Sequence, residues 1–487
     1  MQKLKADIGI IAAGPAGLCA AVAAAEKGAS VIVFEKAANA GGTANMGMGP
    51  LGLESRQQRE HLINITKEEA FKTFMNFVHW HSDARLMREY YWKSGDTINW
   101  LEDMGVNFYG PMRYSPDSQE TWHVVQPDDG SRPGGRAAAS MTKVIYNRAV
   151  ELGVEFHFGT PVKKILGDKS GVHGLYAVET ATGEEYELES KAVIVATGGF
   201  GANPEMVRQY AGFTTGSDMF PLCGPDVVGE GIRMAWEVGA MHGRMEMEGI
   251  DGQFLPMQTY HFMDLFAQGN LVVNKSGYRI CDESIMQNTA IAFKITDYQQ
   301  DKIVWHILDD KLVKYYRKHG LDILSEVRHT DPTENFEESI ADAAEHYPKY
   351  CCIADSPEEL AEKMGVDVQN FLETLDEYND TCDANFDDYF CKPRMYLKAY
   401  RGKKWYAIAK TCGAYGSLGG IKTNWKLEVI TDEYKPIPGF YGAGTDINET
   451  YDGTYMFYLP GNTMGFAVNT GRMAGERAAD WVFDHEE

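Results

Sequence analysis

The stretch that decides the fold is Asp7-Ile-Gly-Ile-Ile-Ala-Ala-Gly14-Pro-Ala-Gly17, followed by an alanine-rich run and then Val31-Ile-Val-Phe-Glu35. It reads as strand, tight turn, helix, strand. Ile8 to Ala12 form the first strand, Leu18, Val22 and Ala25 share one helix face, Gly28 stops the helix, and Val31 to Phe34 form the second strand. Such a βαβ unit makes parallel neighbours in a doubly wound sheet. Gly14 lets backbone approach a phosphate, with Ala16 beside it, and Gly17 lets the helix pack on the strand. The free N–H groups at the helix start suit a pyrophosphate. Glu35 ends the second strand where an acid can bind the adenosine ribose, with Lys36 next to it. The first glycine of the usual fingerprint is Ala12 here, and alanine fits that position if the turn keeps a negative φ.

Further glycine-rich turns follow in order. Gly41-Gly42-Thr43-Ala44-Asn45-Met46-Gly47-Met48-Gly49 predicts backbone pressed against a flat ring, with Gly42, Thr43, Ala44, Gly47 and Gly49 as contacts. Ala196-Thr197-Gly198-Gly199 follows the apolar strand Ala192 to Ala196, and Val162 lies in the segment before it. Pro438-Gly-Phe-Tyr-Gly-Ala-Gly444-Thr-Asp446 places an acid where it can bond a sugar-alcohol hydroxyl. Tyr458-Leu-Pro-Gly461-Asn462-Thr463-Met464 opens a last helix, whose first N–H groups can steady negative charge. Two ends of the chain thus close one nucleotide-binding domain.

The formal charge of −24, from 70 acidic and 46 basic residues, argues against nucleic acid and against an anionic membrane surface as partners. No run approaches the 18 or so apolar residues of a membrane span. The 8 cysteines form no CxxC pair and read as reduced cytosolic thiols, which places the protein in the cytoplasm. No metal-ligand spacing stands out. From about 245 the composition shifts to methionine and aromatics (Met245, Met247, Phe254, Met257, Phe262, Met263, Phe266), which suit either a flat apolar ligand or an ordinary core, then to acidic helical segments. The expected organisation is therefore a nucleotide-binding domain over 1–244 and 401–487, interrupted by an α+β cap over 245–400.

The order and wording of these motifs resemble the flavoprotein family of fumarate reductases and succinate dehydrogenases, which includes 3-ketosteroid dehydrogenases. The likeness covers essentially the whole chain and includes Ser94-Gly-Asp-Thr-Ile-Asn-Trp-Leu-Glu-Asp-Met-Gly105, Gly229-Glu-Gly231, Asn274 to Arg279 and Pro436 to Gly444. It implies an α/β, glutathione-reductase-like FAD domain, bound FAD and a substrate-enclosing cap. Some members attach FAD through a histidine near the second glycine run. Positions 43 to 45 are Thr, Ala and Asn, which implies non-covalent FAD.

The chain departs from the fumarate-reducing pattern where charge is needed. The position of the proton-donating arginine falls at Gln287, which is no acid. The carboxylate-binding histidine element is Tyr415-Gly-Ser417-Leu-Gly-Gly420, and the second carboxylate-binding arginine is Tyr458. A dicarboxylate buried without cations would carry a large desolvation cost. Tyrosine can donate to a carbonyl or phenolate, or give up a proton. Tyr458, Tyr415 and Ser417 are therefore the candidate catalytic residues. The resemblance extends to the isoflavonoid-reducing branch of the family. It implies an FAD-dependent, anaerobic reductase of an apolar cyclic substrate, an isoflavonoid first, with an unidentified electron donor. A 3-ketosteroid, an unsaturated carboxylate, or electron transfer without a substrate are the alternatives. His123, His261 and Tyr109 are candidate pocket residues that read as structural before catalytic, and Arg279 reads as a salt-bridge residue within the cap.

Overall fold

A computed structural model of the chain describes residues 1–252, 257, 259–324 and 331–485. Backbone contacts divide it into two compact units. The first comprises Met1–Gly212, Cys223–Glu248 and Gly416–Glu487, the second Phe213–Leu222 and Gly249–Tyr415. The inserted segment thus runs somewhat later than 245–400. It also gains Phe213–Leu222, because Met219–Pro221 pairs in parallel with Cys412 to Ala414. A three-residue strand of that kind carries no periodic signal.

In the first unit, strand Gln2–Ile11 lies between Val31–Phe34 and Glu185–Val195, parallel to both, with Ile8 opposite Val31 and Ala192. Glu155–His157 and Pro436–Gly442 extend the parallel set on either side. The far edge of Glu185–Val195 is shared. Its first half takes the antiparallel pair Val162–Asp168 and Gly171–Val178, while Val193 to Val195 take Phe440 to Gly442. Ile8, Ile10, Val33, Val193 and Ile194 are fully buried, as the continuous apolar runs of a doubly wound sheet require. Helices Pro15–Glu26 and Asn462–Asp484 cross backbone to backbone. A Cβ on Gly471 or Gly475 would lie 2.2 Å from the carbonyl oxygen of Ala16 or Ala20, respectively.

Ala12 corrects one expectation. Its φ is +81°, in the left-handed region, so the turn does not keep φ negative. Its N–H donates to the Phe34 carbonyl at 2.8 Å, and its own carbonyl oxygen would stand 2.0 Å from a Cβ on Gly17. The two strands and the helix therefore dictate the backbone here, and the alanine bears the strain.

The second unit is built on a mixed sheet in which the first part of Trp405–Ile421, up to Ala414, pairs with Val304–Asp309, Cys351–Ala354 and Met219–Pro221, and Val272–Asn274 flanks Val304–Asp309. Met257, Phe262, Met263 and Phe266 join Trp305, Phe336 and Tyr406 in one core, so this aromatic stretch is ordinary interior rather than a substrate lining. Phe254 lies outside the described residues. Arg279 pairs with Glu283 at 2.8 Å and Asp387 at 2.6 Å, and Lys392 reaches Glu283 at 3.0 Å, all buried, which is the salt-bridge role expected of it. Among the described residues, no helix is long and apolar enough to cross a membrane, and no group of three or more His, Cys, Asp or Glu is placed to hold a metal ion.

Replacing Ala12 by glycine removes left-handed strain of about 1–2 kcal/mol and adds about 0.5–1 kcal/mol of backbone entropy cost. The variant should therefore denature at a higher temperature than the wild type. A lower midpoint in a thermal melt would show that the turn is not strained.

Candidate functional site

The N-terminal turn separates two glycines by what surrounds them. Gly14 caps helix Pro15–Glu26, and a Cβ there would meet nothing within 4 Å, whereas one on Gly17 would strike Ala12. Gly17 is a packing residue, and Gly14 opens on free space, as a phosphate-approaching residue must. Ala16 is buried, its Cβ 2.9 Å from where a Cβ on Gly444 would lie. Glu35 accepts from the Ala13 N–H with one carboxylate oxygen and from the Ala37 N–H with the other, each at 2.7 Å. Burial raises its pKa, and these bonds oppose the shift. Lys36 is paired with Glu230 at 2.6 Å. The Thr160 N–H donates to the Glu35 carbonyl at 2.9 Å, which brings buried Val162 close behind.

The second glycine run folds over this turn. The Gly41 N–H donates to the Ala13 carbonyl, and a Cβ on Gly42 would come within 3.4 Å of Gly14 Cα. Gly42–Met46 forms a short 3-10 turn holding Thr43 and Ala44, with Thr43 accepting from the Gly224 N–H at 3.1 Å. Gly47 has no room for a side chain because Met464 Cε would lie 2.4 Å away, and Gly49 is closed by the His123 carbonyl at 2.0 Å. The structure thus joins this run to the start of the last helix, some 400 positions later in the chain.

Asp446 is completely buried. Its carboxylate accepts from the Thr197 N–H and hydroxyl and from the Gly199 N–H at 2.8 Å. Burial raises its pKa, and the bonds from Gly199 and Thr197 oppose it. Its observed work is to hold the Thr197-Gly198-Gly199 turn, where both glycines have positive φ. Ser417 supports the same turn by accepting from the Phe200 N–H at 2.6 Å.

The last helix begins at Gly461, with φ +85°, and a Cβ there would come within 2.7 Å of Leu51 N and Trp122. The Tyr455 hydroxyl accepts from the Gly461 N–H at 2.7 Å and the Asn462 N–H at 3.0 Å. Asn462 donates to Tyr91, and Tyr90 donates to the Asn462 carbonyl. The next two N–H groups, of Thr463 and Met464, meet no protein acceptor among the described residues. The Thr463 hydroxyl bonds the buried carboxyl of Glu248, which burial pushes up to about 8. Tyr458 is more exposed, and its hydroxyl accepts from Gln119 at 2.7 Å. Tyr415 belongs to the second unit and Tyr458 and Ser417 to the first, so within one unit the structure joins Tyr458 to the helix start and Ser417 to the Thr197 turn. His123 is buried, bonded to Ser55 and held down to about 4 by burial, while Tyr109 and His261 are exposed.

Sequence reasoning missed Tyr455, Tyr90, Tyr91, Gln119 and Glu248. No local spacing marks them, and Glu248 fell on the far side of the expected boundary at 245. It also missed a buried cation in the second unit. Lys410 is paired with Asp251 at 2.6 Å, and buried His306 lies on the neighbouring strand. His306 is held neutral by burial and by the Lys410 charge.

The open turn at Gly14 and the unbonded N–H pair at Thr463 and Met464 fit a dinucleotide with an anionic end. A family model described as FAD binding domain matches residues 7–463. The chain is 28% identical to a vinyl phenol reductase of Lactiplantibacillus plantarum over 98% of this chain and 97% of that protein. It is also 28% identical to an NADH:fumarate oxidoreductase of Klebsiella pneumoniae, over 97% of this chain and 47% of that one. In fold it is similar to 3-ketosteroid-Δ4-(5α)-dehydrogenase of Rhodococcus jostii RHA1, with a TM-score of 0.75 and 22% identity over 98% of this chain and 97% of that one.

Glu248 gives a pH test. An unfolded glutamate titrates near 4.5 and the folded one near 8, so between these values the native state holds the extra proton and stability falls as pH rises. Glu248→Gln removes that dependence. Its advantage over the wild type should widen from about pH 4.5 to 8, by at most about 1.4 kcal/mol per pH unit, and level off above. Parallel melting curves across that range would mean that Glu248 is ionised in the native protein.

Proposed function

The chain belongs to the FAD binding domain family and is an FAD-dependent oxidoreductase, and from that premise we propose that it reduces a cyclic, largely apolar substrate, an isoflavonoid in a reaction of the tetrahydrodaidzein-to-equol type. The observation that carries this reading is the neutrality of the last helix's start. Among the described residues, the side-chain partners of residues 458–464 are Gln119, Thr121, Tyr90, Tyr91, Tyr451, Tyr455 and the protonated Glu248, and none is a cation. A dicarboxylate would find no countercharge there, whereas a phenol or carbonyl would find hydroxyls. Lys410 does not alter the balance, since Asp251 already neutralises it. The relative named for vinyl phenol reduction supports a phenolic substrate class.

FAD would be held without a covalent link, since residues 43–45 offer no histidine, and would supply the hydride when bound. Gly14 and Ala16 would seat its pyrophosphate at the start of the helix that Gly17 packs against the strand, Glu35 and Lys36 would hold the adenosine side, and Gly42 to Gly49, Asp446 and Gly461 to Met464 the flavin side. Tyr458 Oη gives its proton to the substrate's leaving hydroxyl, the carbon–oxygen bond breaks, and water departs as the carbon takes the hydride. Tyr415 clamps the phenol or carbonyl, and Ser417 keeps the Thr197 turn in place through Phe200.

The test is anaerobic. Reduced enzyme is mixed separately with a 4-hydroxyisoflavan, a 3-keto-4-ene steroid and fumarate, and return of the oxidised-flavin absorbance is followed. Reoxidation by the isoflavan with release of the dehydroxylated product is expected, and Tyr458→Phe should slow it by about 100-fold. Reoxidation by fumarate alone would overturn the neutral-site reading, and by the steroid alone the isoflavonoid assignment.

A further inference from the structure

The reaction above leaves Glu248 unused. It lies on strand His242–Gly252, 1% exposed, with the Thr463 hydroxyl as its side-chain partner. Among the described residues no lysine, arginine or histidine forms an ion pair with it. On its own strand, Arg244 and Glu246 stand 3.9 Å apart. Arg244 is further engaged by His81, Asp452 and the carbonyls of Glu449 and Tyr451. From the segment before the last helix, Tyr451 and Tyr455 face Glu248, and Tyr90 and Tyr91 of helix Ala84–Asp103 lie behind them. Burial keeps all four hydroxyls protonated. An unpaired carboxyl among neutral phenols holds its proton at neutral pH, although the helix start favours its anion.

Thr463 connects this acid to something else. Its hydroxyl binds Glu248, and its N–H belongs to the unbonded pair at the start of a 23-residue helix whose first two donors are already taken by Tyr455. A helix start with unbonded donors attracts negative charge. In the reading above, reduction of FAD puts negative charge there. A second anion at the same place raises the pKa of the first.

We propose that in alkaline solution, where Glu248 has lost its proton, it takes one up again from solvent when the FAD seated against Gly461–Met464 is reduced, and so couples a second proton to the two-electron step. The cofactor gains two electrons and one proton, and a Glu248 carboxylate oxygen gains the other proton. The electrons come from any low-potential donor, dithionite in the test. This inference rests on the proposed seat of the cofactor.

The experiment measures the midpoint potential of the FAD-loaded protein between pH 6 and 9.5, with dithionite and mediator dyes, for the wild type and Glu248→Gln. Below about pH 8 the acid is protonated in both redox states and the two lines run parallel. Above it the wild-type potential should fall by about 30 mV more per pH unit than that of the variant, the tenfold change per unit expected of one extra proton in a two-electron couple. Parallel lines throughout overturn the proposal. Infrared difference spectra between wild type and Glu248→Gln should show a protonated carboxyl band at pH 7, and its absence overturns the proposal at its root. Met464→Pro tests the seat on its own, since it leaves the Thr463 hydroxyl on Glu248. It removes one unbonded N–H from a helix turn that tolerates proline, and should lower the potential at every pH. If its potential matches the wild type, the cofactor does not sit at this helix start and the proposal falls with that reading. If Met464→Pro shifts the potential and the Glu248→Gln lines stay parallel, the seat stands and the proton coupling alone is wrong.

Discussion

The contact on which the first unit depends is the crossing of helices Pro15–Glu26 and Asn462–Asp484. Gly471 and Gly475 remove side chains at the points where the Ala16 and Ala20 carbonyls come closest. Helix packing distance is set by the side chains at the contact, and here there are almost none. The N-terminal turn, the second glycine run and the first residues of the last helix are held in one place because of this crossing. Gly47 meeting Met464, and Gly444 meeting Ala16, are its local expressions. A methyl group at Gly471 or Gly475 would push apart segments separated by most of the chain, and the nucleotide frame with them.

Buried carboxylates do a different kind of work from that suggested by their positions. Glu35 and Asp446 each sit where a sugar hydroxyl is expected, and each already accepts from backbone N–H groups of a turn. A carboxylate has about four lone-pair sites, so bonding the turn leaves acceptors for a ligand. The same group can shape the turn before a cofactor binds and receive the cofactor afterwards. Glu248 is the exception, an acid with one hydroxyl for company and the neutral form as its resting state.

Much of this was legible in the chain itself. The βαβ unit, the later glycine turns and the return of the sheet near the C-terminus all follow from periodicity and glycine placement, because parallel strands buried on both faces leave continuous apolar runs. The φ of Ala12 was not legible, since the left-handed turn is imposed by the Phe34 hydrogen bond and by Gly17 rather than by alanine's own preference. Nor were Tyr455, Tyr91 and Glu248, which meet the last helix only after segments far apart in sequence come together. Long-range hydroxyl contacts leave no period to read. Methionine and aromatic density near 260 left a core and a ligand-lining surface equally open, because the two have the same composition, and only the packing decides between them.

The shared edge of strand Glu185–Val195 carries a consequence for how the protein is made. Its first half is paired by Gly171–Val178 as soon as those residues exist, but Val193 to Val195 wait for Phe440 to Gly442. At roughly 5–20 residues per second, the ribosome needs on the order of 10–50 s to supply them. For that interval the outer edge of an apolar strand end stands unpaired, an open template for another chain. The second unit is synthesised entirely within this delay, so its speed of collapse bears on how much nascent protein is lost to aggregation.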